Sequence, residues 1–367
     1  MDLCFVRGNI MSFTDKKREE IKKYILRKID NDDQEIVQKT MDNFAISITS
    51  VKRYLKEAEN MGSIKKSDSR KCGYELTKES FLEEILLEDG IEEDELYEIY
   101  IAKHLQNCND SALRIWQYTC AEMLNNAIEH ARGTKIFLEI EVNVLYTRIV
   151  ITDDGVGIFQ TLTEYMKTHG WKNPKLEEAL LELYKGKITS KEECHSGEGI
   201  FFSSKMMDKF IIWSDSIIYK CGVDIPTDVI QSHIFAYASR LEKIGTMLSM
   251  CLENETERKI TEVFSMYTNA EGGFVKTSIP IKEACINGEP VARSQARRIC
   301  QRLDMFKEVI LDFKDVEFMG QGFADELFRV YALSNPQVVL SPIHMLPDVE
   351  RMIYHVARGN MPENVHL

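Results

Sequence analysis

The chain has 367 residues, of which 44% are hydrophobic and 29% charged, with a net charge of −13. A single core rarely grows past about 250–300 residues, so this length predicts two or three domains. The composition is that of a soluble globular protein, and no apolar run reaches the roughly 18 residues a membrane span needs.

The first stretch, "MDLCFVRGNIMSFTDKK", lacks the basic-then-apolar layout of a signal peptide. None of the nine cysteines sits in a CxxC pair. Reduced thiols and a cytoplasmic location are the expectation, with neither a zinc site nor a disulfide framework. Charge is uneven along the chain. Residues 15–78 hold 16 Lys/Arg against 12 Asp/Glu, whereas residues 79–98 hold ten acids and no base. A basic module tied to an acidic body is the reading.

Residues 12–78 read as three helices and a hairpin. "TDKKREEIKKYILRKI" carries Ile21, Tyr24, Ile25 and Ile29 at helical spacing, and "QEIVQKTMDNF" is a second, shorter helix. "SITSVKRYLKEAENMGSI" is the third, with Ser47 as N-cap and Gly62 as stop. "SIKK" and "YEL" then flank the loop "SDSRKCG". This order resembles a winged helix. The resemblance implies DNA binding, with the third helix in the major groove and the wing along the backbone. Ser50, Lys52, Arg53, Lys65, Lys66, Arg70 and Lys71 are the expected contacts. A winged helix used only for protein contact is the alternative. The acidic stretch 79–105 embeds Leu82, Ile85, Leu86, Ile91, Leu96 and Ile99 and is predicted to be a helical connector.

Residues 106–272 hold the chemistry. In "AEMLNNAIEHA", Glu122, Asn126 and His130 recur at steps of four, with apolar residues between them. At 3.6 residues per turn they form a polar row on a helix whose other face is greasy. Two β-branched runs follow, Lys135–Val144 and Thr147–Thr152, the second ending in "DDGVGI". Later come "HSGEGIFFSSKMMDKFIIWS", a glycine loop entering a helix and a strand, and "GTMLSMCLE", another strand.

Taken together, Glu122-x-x-x-Asn126, Asp153-x-Gly155-x-Gly157, Gly197-x-Gly199 and Gly245-Thr246 resemble, in order, the boxes of the GHKL ATPase/kinase superfamily. "GEGIFFSSKMMD" is most similar to its anti-sigma-factor kinase branch. The resemblance implies an ATP site with Mg²⁺. Asn126 would give the metal a neutral oxygen, and Glu122 would act as general base. Asp153 would accept from the adenine amino group, which suits acceptor-only chemistry. Gly155 and Gly157 would turn the backbone beneath the base, with Ile158 beside it. Gly197 and Gly199 would open backbone N–H groups toward phosphate at a helix start. Thr246 would close the adenine side.

Asp154 is the adenine ligand if the register shifts by one. Asn125 and His130 read more readily as packing or structural residues, and Lys205 as an ordinary helix residue. Residues 159–195 would be an ATP lid, helical at 175–185, with Lys187 and His195 as weaker phosphate candidates. His104 lies too close to Glu122 for a histidine-kinase dimerisation hairpin, so histidine autophosphorylation is not expected.

Residues 273–358 alternate strand and helix, which predicts an α/β layer. "VILDFKDVEFMGQGFADELF" resembles a STAS domain, and more closely the STAS-like domain found after such ATPase domains. Where STAS antagonists carry a phosphorylatable Ser, this chain reads Met319-Gly320-Gln321-Gly322, with no hydroxyl. Ser294 is read as an N-cap.

The overall expectation is an α+β and α/β multidomain chain: winged helix, GHKL α/β sandwich and STAS-like domain. Its implied role is a nucleotide-gated switch that contacts DNA. A protein partner would dock on the lid or the STAS-like domain, and the chain would act as a homodimer. An anti-sigma-type Ser/Thr kinase and a nucleotide-binding scaffold stay open as alternatives.

Overall fold

The computed structural model describes residues 14–88, 90–188, 197–223, 230–231, 241–285 and 288–367. The chain divides into two compact units. One comprises the N-terminal part up to Ser80 together with Glu141–Thr147, and the other comprises Phe81–Ile140 and Arg148–Leu367.

The first unit is built on α1 (Asp15–Asp30), α2 (Ile36–Phe44) and α3 (Ile48–Asn60). Thr14 caps α1 by accepting from the Lys17 amide, and Ser47 caps α3 by accepting from the Ser50 amide. Ile21, Ile25 and Ile29 of α1 form one buried stripe, packed with Val51, Tyr54 and Leu55 of α3. A short antiparallel pair, β1 (Ile64–Lys66) and β2 (Tyr74–Leu76), completes the unit with Ile64 opposite Leu76. Leu145, from a distant turn, fills the same core, and the Tyr146 hydroxyl donates to Asp30 at 3.3 Å. The expected three helices and hairpin are present from Thr14 onward; residues 12 and 13 lie outside the described residues.

The acidic connector is not helical throughout. Lys78–Leu86 is strand β3, at one edge of a six-stranded sheet. Ile85 is buried while Leu82, Glu84 and Leu86 are exposed, an alternation of period two. Leu82, Ile85 and Leu86 fit helical spacing equally well, and a neighbouring strand to pair with decides the outcome. The Glu84 carboxylate meets Lys135 of the adjacent strand at 3.1 Å. Helix begins only at α4 (Glu93–Leu96), which continues as a π turn and a 3₁₀ turn to His104.

The large sheet runs β3, β4 (Lys135–Asn143), β5 (Tyr146–Asp153), β8 (Met247–Glu253), β6 (Lys209–Ser214) and β7 (Ile217–Cys221). β6 pairs antiparallel with both β8 and β7. Helices α5 (Asp110–Asn125), α6 (Ile158–Thr168), α7 (Leu176–Lys185), α8 (Gly199–Met206) and α9 (Ile260–Tyr267) belong to the same unit.

A second sheet is wholly parallel, ordered β11 (Val339–Ile343), β10 (Glu308–Asp312), β9 (Lys276–Pro280). With it go α10 (Ile281–Ala284), α11 (Arg293–Cys300), α12 (Gln321–Asp325, continued as a π turn to Tyr331) and α13 (Pro347–Ala357). The residue that caps α11 is Ala292, not Ser294. Gln295 folds back instead, its Oε1 accepting from the Val291 and Ala292 amides at 3.0 and 2.7 Å. Gly320 precedes α12, and a Cβ there would overlap the Val291 carbonyl.

The parallel sheet and most of the large sheet lie in the second unit. The seam is polar and buried. Lys185, only 1% exposed, donates to Glu182 at 2.7 Å and to the Gln301 carbonyl at 2.5 Å. Arg302 reaches the same Glu182 at 3.0 Å and the Lys187 carbonyl at 3.1 Å. Thr277 of β9 donates to the Lys185 carbonyl at 2.9 Å. The last turn of α7 is thus tied to the layer of the parallel sheet. Among the described residues, no helix is long and apolar enough to cross a membrane.

Candidate functional site

Four separated segments of the chain meet at one cavity of about 280 Å³. Glu122, Asn126, Asp153, Gly157, Ile158, Gly197, Gly199 and Thr246 all line it. Asn125 and His130, expected to be packing or structural residues, line it too. The helix explains this. α5 is regular to Asn125 and then widens into a π turn over Asn126–His130. π turns recur at functional sites because the extra residue re-aims side chains. The wall between the polar groups is apolar and includes Ile151, Leu162, Leu183 and Leu248.

The first polar set is fixed by the loop after β5. The Asp153 Oδ1 accepts from the Gly155 amide at 2.9 Å and the Thr246 amide at 3.2 Å. The backbone of Asp153 also exchanges hydrogen bonds with Gly245 and Thr246. Burial pushes the Asp153 carboxyl up to about 6, with the two amides and the Thr246 side chain opposing the rise. The Thr246 hydroxyl accepts from the Ile158 amide at 3.0 Å. Its own hydrogen can turn to Asp153 or to a ligand. Asp154 is elsewhere engaged: it accepts from the Thr134 amide and hydroxyl, both at 2.6 Å, and from the Lys135 amide. The register is therefore the one that puts Asp153 on the cavity.

Gly157 has φ of +102°, a conformation that L side chains rarely adopt. Gly155 is different. Its φ is not positive, but a Cβ there would overlap the Ala131 carbonyl, which accepts from the Val156 amide at 2.8 Å. Close approach of the α5 end, rather than a tight turn, is what requires a glycine at 155.

The second polar set lies at the start of α8. A Cβ at Gly199 would overlap the Glu122 Oε2, so that carboxylate rests on the Gly199 backbone. Sequence spacing could not place these two residues together. Glu198, between the two glycines, has its carboxyl raised by burial, opposed by the charge of Lys187.

The expected lid, residues 159–195, is described up to Ile188. Residues 158–185 are the packed helices α6 and α7, whose Phe159, Met166 and Ala179 are fully buried. His195 and the rest of 189–196 lie outside the described residues. Lys187 donates to the Met305 carbonyl at 3.0 Å and sits over the Phe306 and Phe274 rings. It is committed to the seam with the parallel sheet. Lys205 lies over the Phe201 ring and lines a different cavity.

In the first unit, Lys52, Arg53, Lys65, Lys66 and Lys71 are exposed and Ser50 is half-buried. Arg53 approaches Glu57 at 3.6 Å, and Lys65 approaches Glu75 at 3.0 Å. Arg70 is not an outward-facing cation. Its guanidinium donates to the Ile29 and Asp30 carbonyls at 2.8 and 2.7 Å, closing the end of α1.

Comparison with known families identifies one part of the chain. Residues 295–350 match the STAS-like domain of unknown function (DUF4325). This agrees with the parallel sheet and its helices as the sequence predicted them. No curated protein matches the chain.

Proposed function

We propose that the cavity is an ATP site of the GHKL type and that the chain is a nucleotide-gated switch with slow ATP turnover. The observation that carries this reading is the pairing of Asp153 and Thr246. A carboxylate able to accept stands beside a hydroxyl able to donate, at the end of an apolar slot. That pair complements the amino group and adjacent ring nitrogen of adenine. Guanine would turn a carbonyl oxygen toward the carboxylate and is disfavoured.

At the other set, the backbone of Gly199 begins α8, where the helix dipole favours anions. Glu122 stands there as the group to accept a proton from an attacking water. A carboxylate beside a polyphosphate is repulsive without a cation between them. Asn126 offers a neutral oxygen for Mg²⁺, which when bound would neutralise phosphate charge.

The exposed bases of α3 and the β1–β2 hairpin suit phosphate contact, so the first unit is proposed as a winged helix that binds DNA. The STAS-like domain is proposed as the surface for a protein partner, and the acting species as a homodimer.

The test follows the γ-phosphate. Purified protein is incubated with Mg²⁺ and γ-labelled ATP, beside Glu122→Ala. Free phosphate from the wild type, lost in a variant that still binds ATP, is the expected result. Equal hydrolysis by both proteins sinks the role of Glu122, and no ATP binding by either sinks the site. Label on a protein instead would select the alternative of a Ser/Thr kinase acting on a separate partner.

A further inference from the structure

A second and larger cavity, about 480 Å³, opens where β9 and β10 end. In open α/β sheets, ligands are bound in the crevice beyond the carboxyl ends of parallel strands. Ser278 and Pro280 of β9 and Asp312 of β10 form one wall. Tyr184 of α7 and Lys205 of α8 contribute another.

Four lysines from four different elements converge here: Lys205 of α8, Lys220 of β7, Lys282 of α10 and Lys314 after β10. Three carboxylates, Glu283, Asp312 and Asp315, line the same space. Lys220 faces Glu283 at 3.4 Å. Lys205 rests over the Phe201 ring, 5.2 Å from its centre. Lys282 donates to the backbone carbonyl of Asp315 at 2.9 Å. A ring face and a carbonyl hold an ammonium in place without neutralising it, so Lys205 and Lys282 bring uncancelled positive charge to the cavity. Asp312, by contrast, already accepts from His344 Nδ1 at 2.8 Å and from the Lys314 amide at 3.0 Å.

We infer that this cavity binds a small phosphate-bearing molecule, with Lys205, Lys282 and Lys314 on the phosphoryl oxygens. Ammonium–phosphate hydrogen bonds are charge-assisted and strong. The volume exceeds the need of one phosphate, and Asp315 gives hydroxyl or amine groups on the same molecule an acceptor. The site is separate from the Glu122 cavity and does not rest on the nucleotide reading. α7 and α8 border both cavities, through Leu183 and Gly199 on one and Tyr184 and Lys205 on the other.

The test is calorimetric titration of the full chain with pyrophosphate at fixed ionic strength. Four proteins are compared: wild type, Lys56→Ala, Lys282→Ala/Lys314→Ala, and Lys205→Ala. Lys56 is an exposed lysine that does not line the cavity, so wild type and Lys56→Ala are expected to bind alike. The double variant should lose about tenfold or more in affinity, as befits removal of hydrogen bonds to a charged group. Lys205→Ala removes an ammonium held only against a ring face, so it tests the site should the double variant fold poorly. Absence of saturable binding overturns the proposal. So does undiminished binding in the Lys282→Ala/Lys314→Ala and Lys205→Ala variants, or an equal loss in Lys56→Ala, either of which would put the anion elsewhere.

Discussion

The Glu122 carboxylate rests on the backbone of Gly199, 77 positions along the chain, where a Cβ would meet the carboxylate Oε2. The glycine that opens α8 thus leaves room for the acid on α5 in this rotamer, whatever it also does for a ligand. Gly199→Ala should turn the carboxylate, the tip of a flexible side chain, aside at a cost at the low end of overpacking, about 1 kcal/mol. Glu122→Ala in the same chain should recover most of it. Denaturant melts of both single variants and the double variant give the coupling energy. Additive losses would mean that the two residues do not compete for space.

If the cavity takes ATP as proposed, Asp153 should make stability and nucleotide binding respond to pH in opposite directions. Its carboxyl is raised by burial from the ordinary 3.8 to about 6, so the native state holds the proton more tightly than the unfolded chain. The stability this contributes is complete below the unfolded value and is lost as pH rises through about 6. Binding of adenine needs the ionised acceptor and should weaken as pH falls through that same value. Calorimetry across this window should show ATP affinity falling on acidification, with a flattened profile in Asp153→Asn. Parallel profiles in wild type and variant would remove Asp153 from the site.

Lys185→Met should be costly although the residue touches no ligand. It strips Glu182 of its buried cation and leaves only the half-buried Arg302, and breaking a buried pair costs up to about 3–5 kcal/mol. Leu183 and Ile188, on either side of that turn, line the first cavity. A fall in melting temperature together with weaker ATP binding is expected. A lower melting temperature with unchanged affinity would uncouple the seam from the cavity.

In the first unit the bases should divide into two groups. Lys52→Ala and Lys66→Ala should weaken DNA binding and lower the salt slope by about 0.9 for each phosphate left without its cation. Arg70→Ala should instead lower stability, since its guanidinium holds the carbonyls at the end of α1. Filter binding at several salt concentrations, beside thermal melts, separates the two effects.

What could be read from the sequence was whatever short-range spacing encodes. The cap at Ser47 and the strand–helix alternation after residue 273 are local patterns, and each matches the structure. β3 was misread because Leu82, Ile85 and Leu86 satisfy both periods and only pairing decides between them. Lys185 gave no signal, because a lysine is buried only where distant carbonyls and a carboxylate converge on it. The approach of Glu122 to Gly199 is not encoded in spacing either; only the family resemblance put the two at one site. The π turn at Asn126–His130 was hidden too, and it is what turns Asn125 as well as Asn126 toward the cavity.

Leu145 has one more consequence, and it concerns biosynthesis. The first unit is not a continuous stretch of chain: after Ser80 the sequence departs and returns only at Glu141. A nascent chain ending near Ser80 has all three helices and the hairpin but lacks Leu145 in its core and the Tyr146 bond to Asp30. That module therefore cannot finish folding on the ribosome until the β4–β5 turn has been made. By then α5, with Glu122 and Asn126, has already been synthesised. The basic module reaches its complete form only in a chain that already carries part of the cavity.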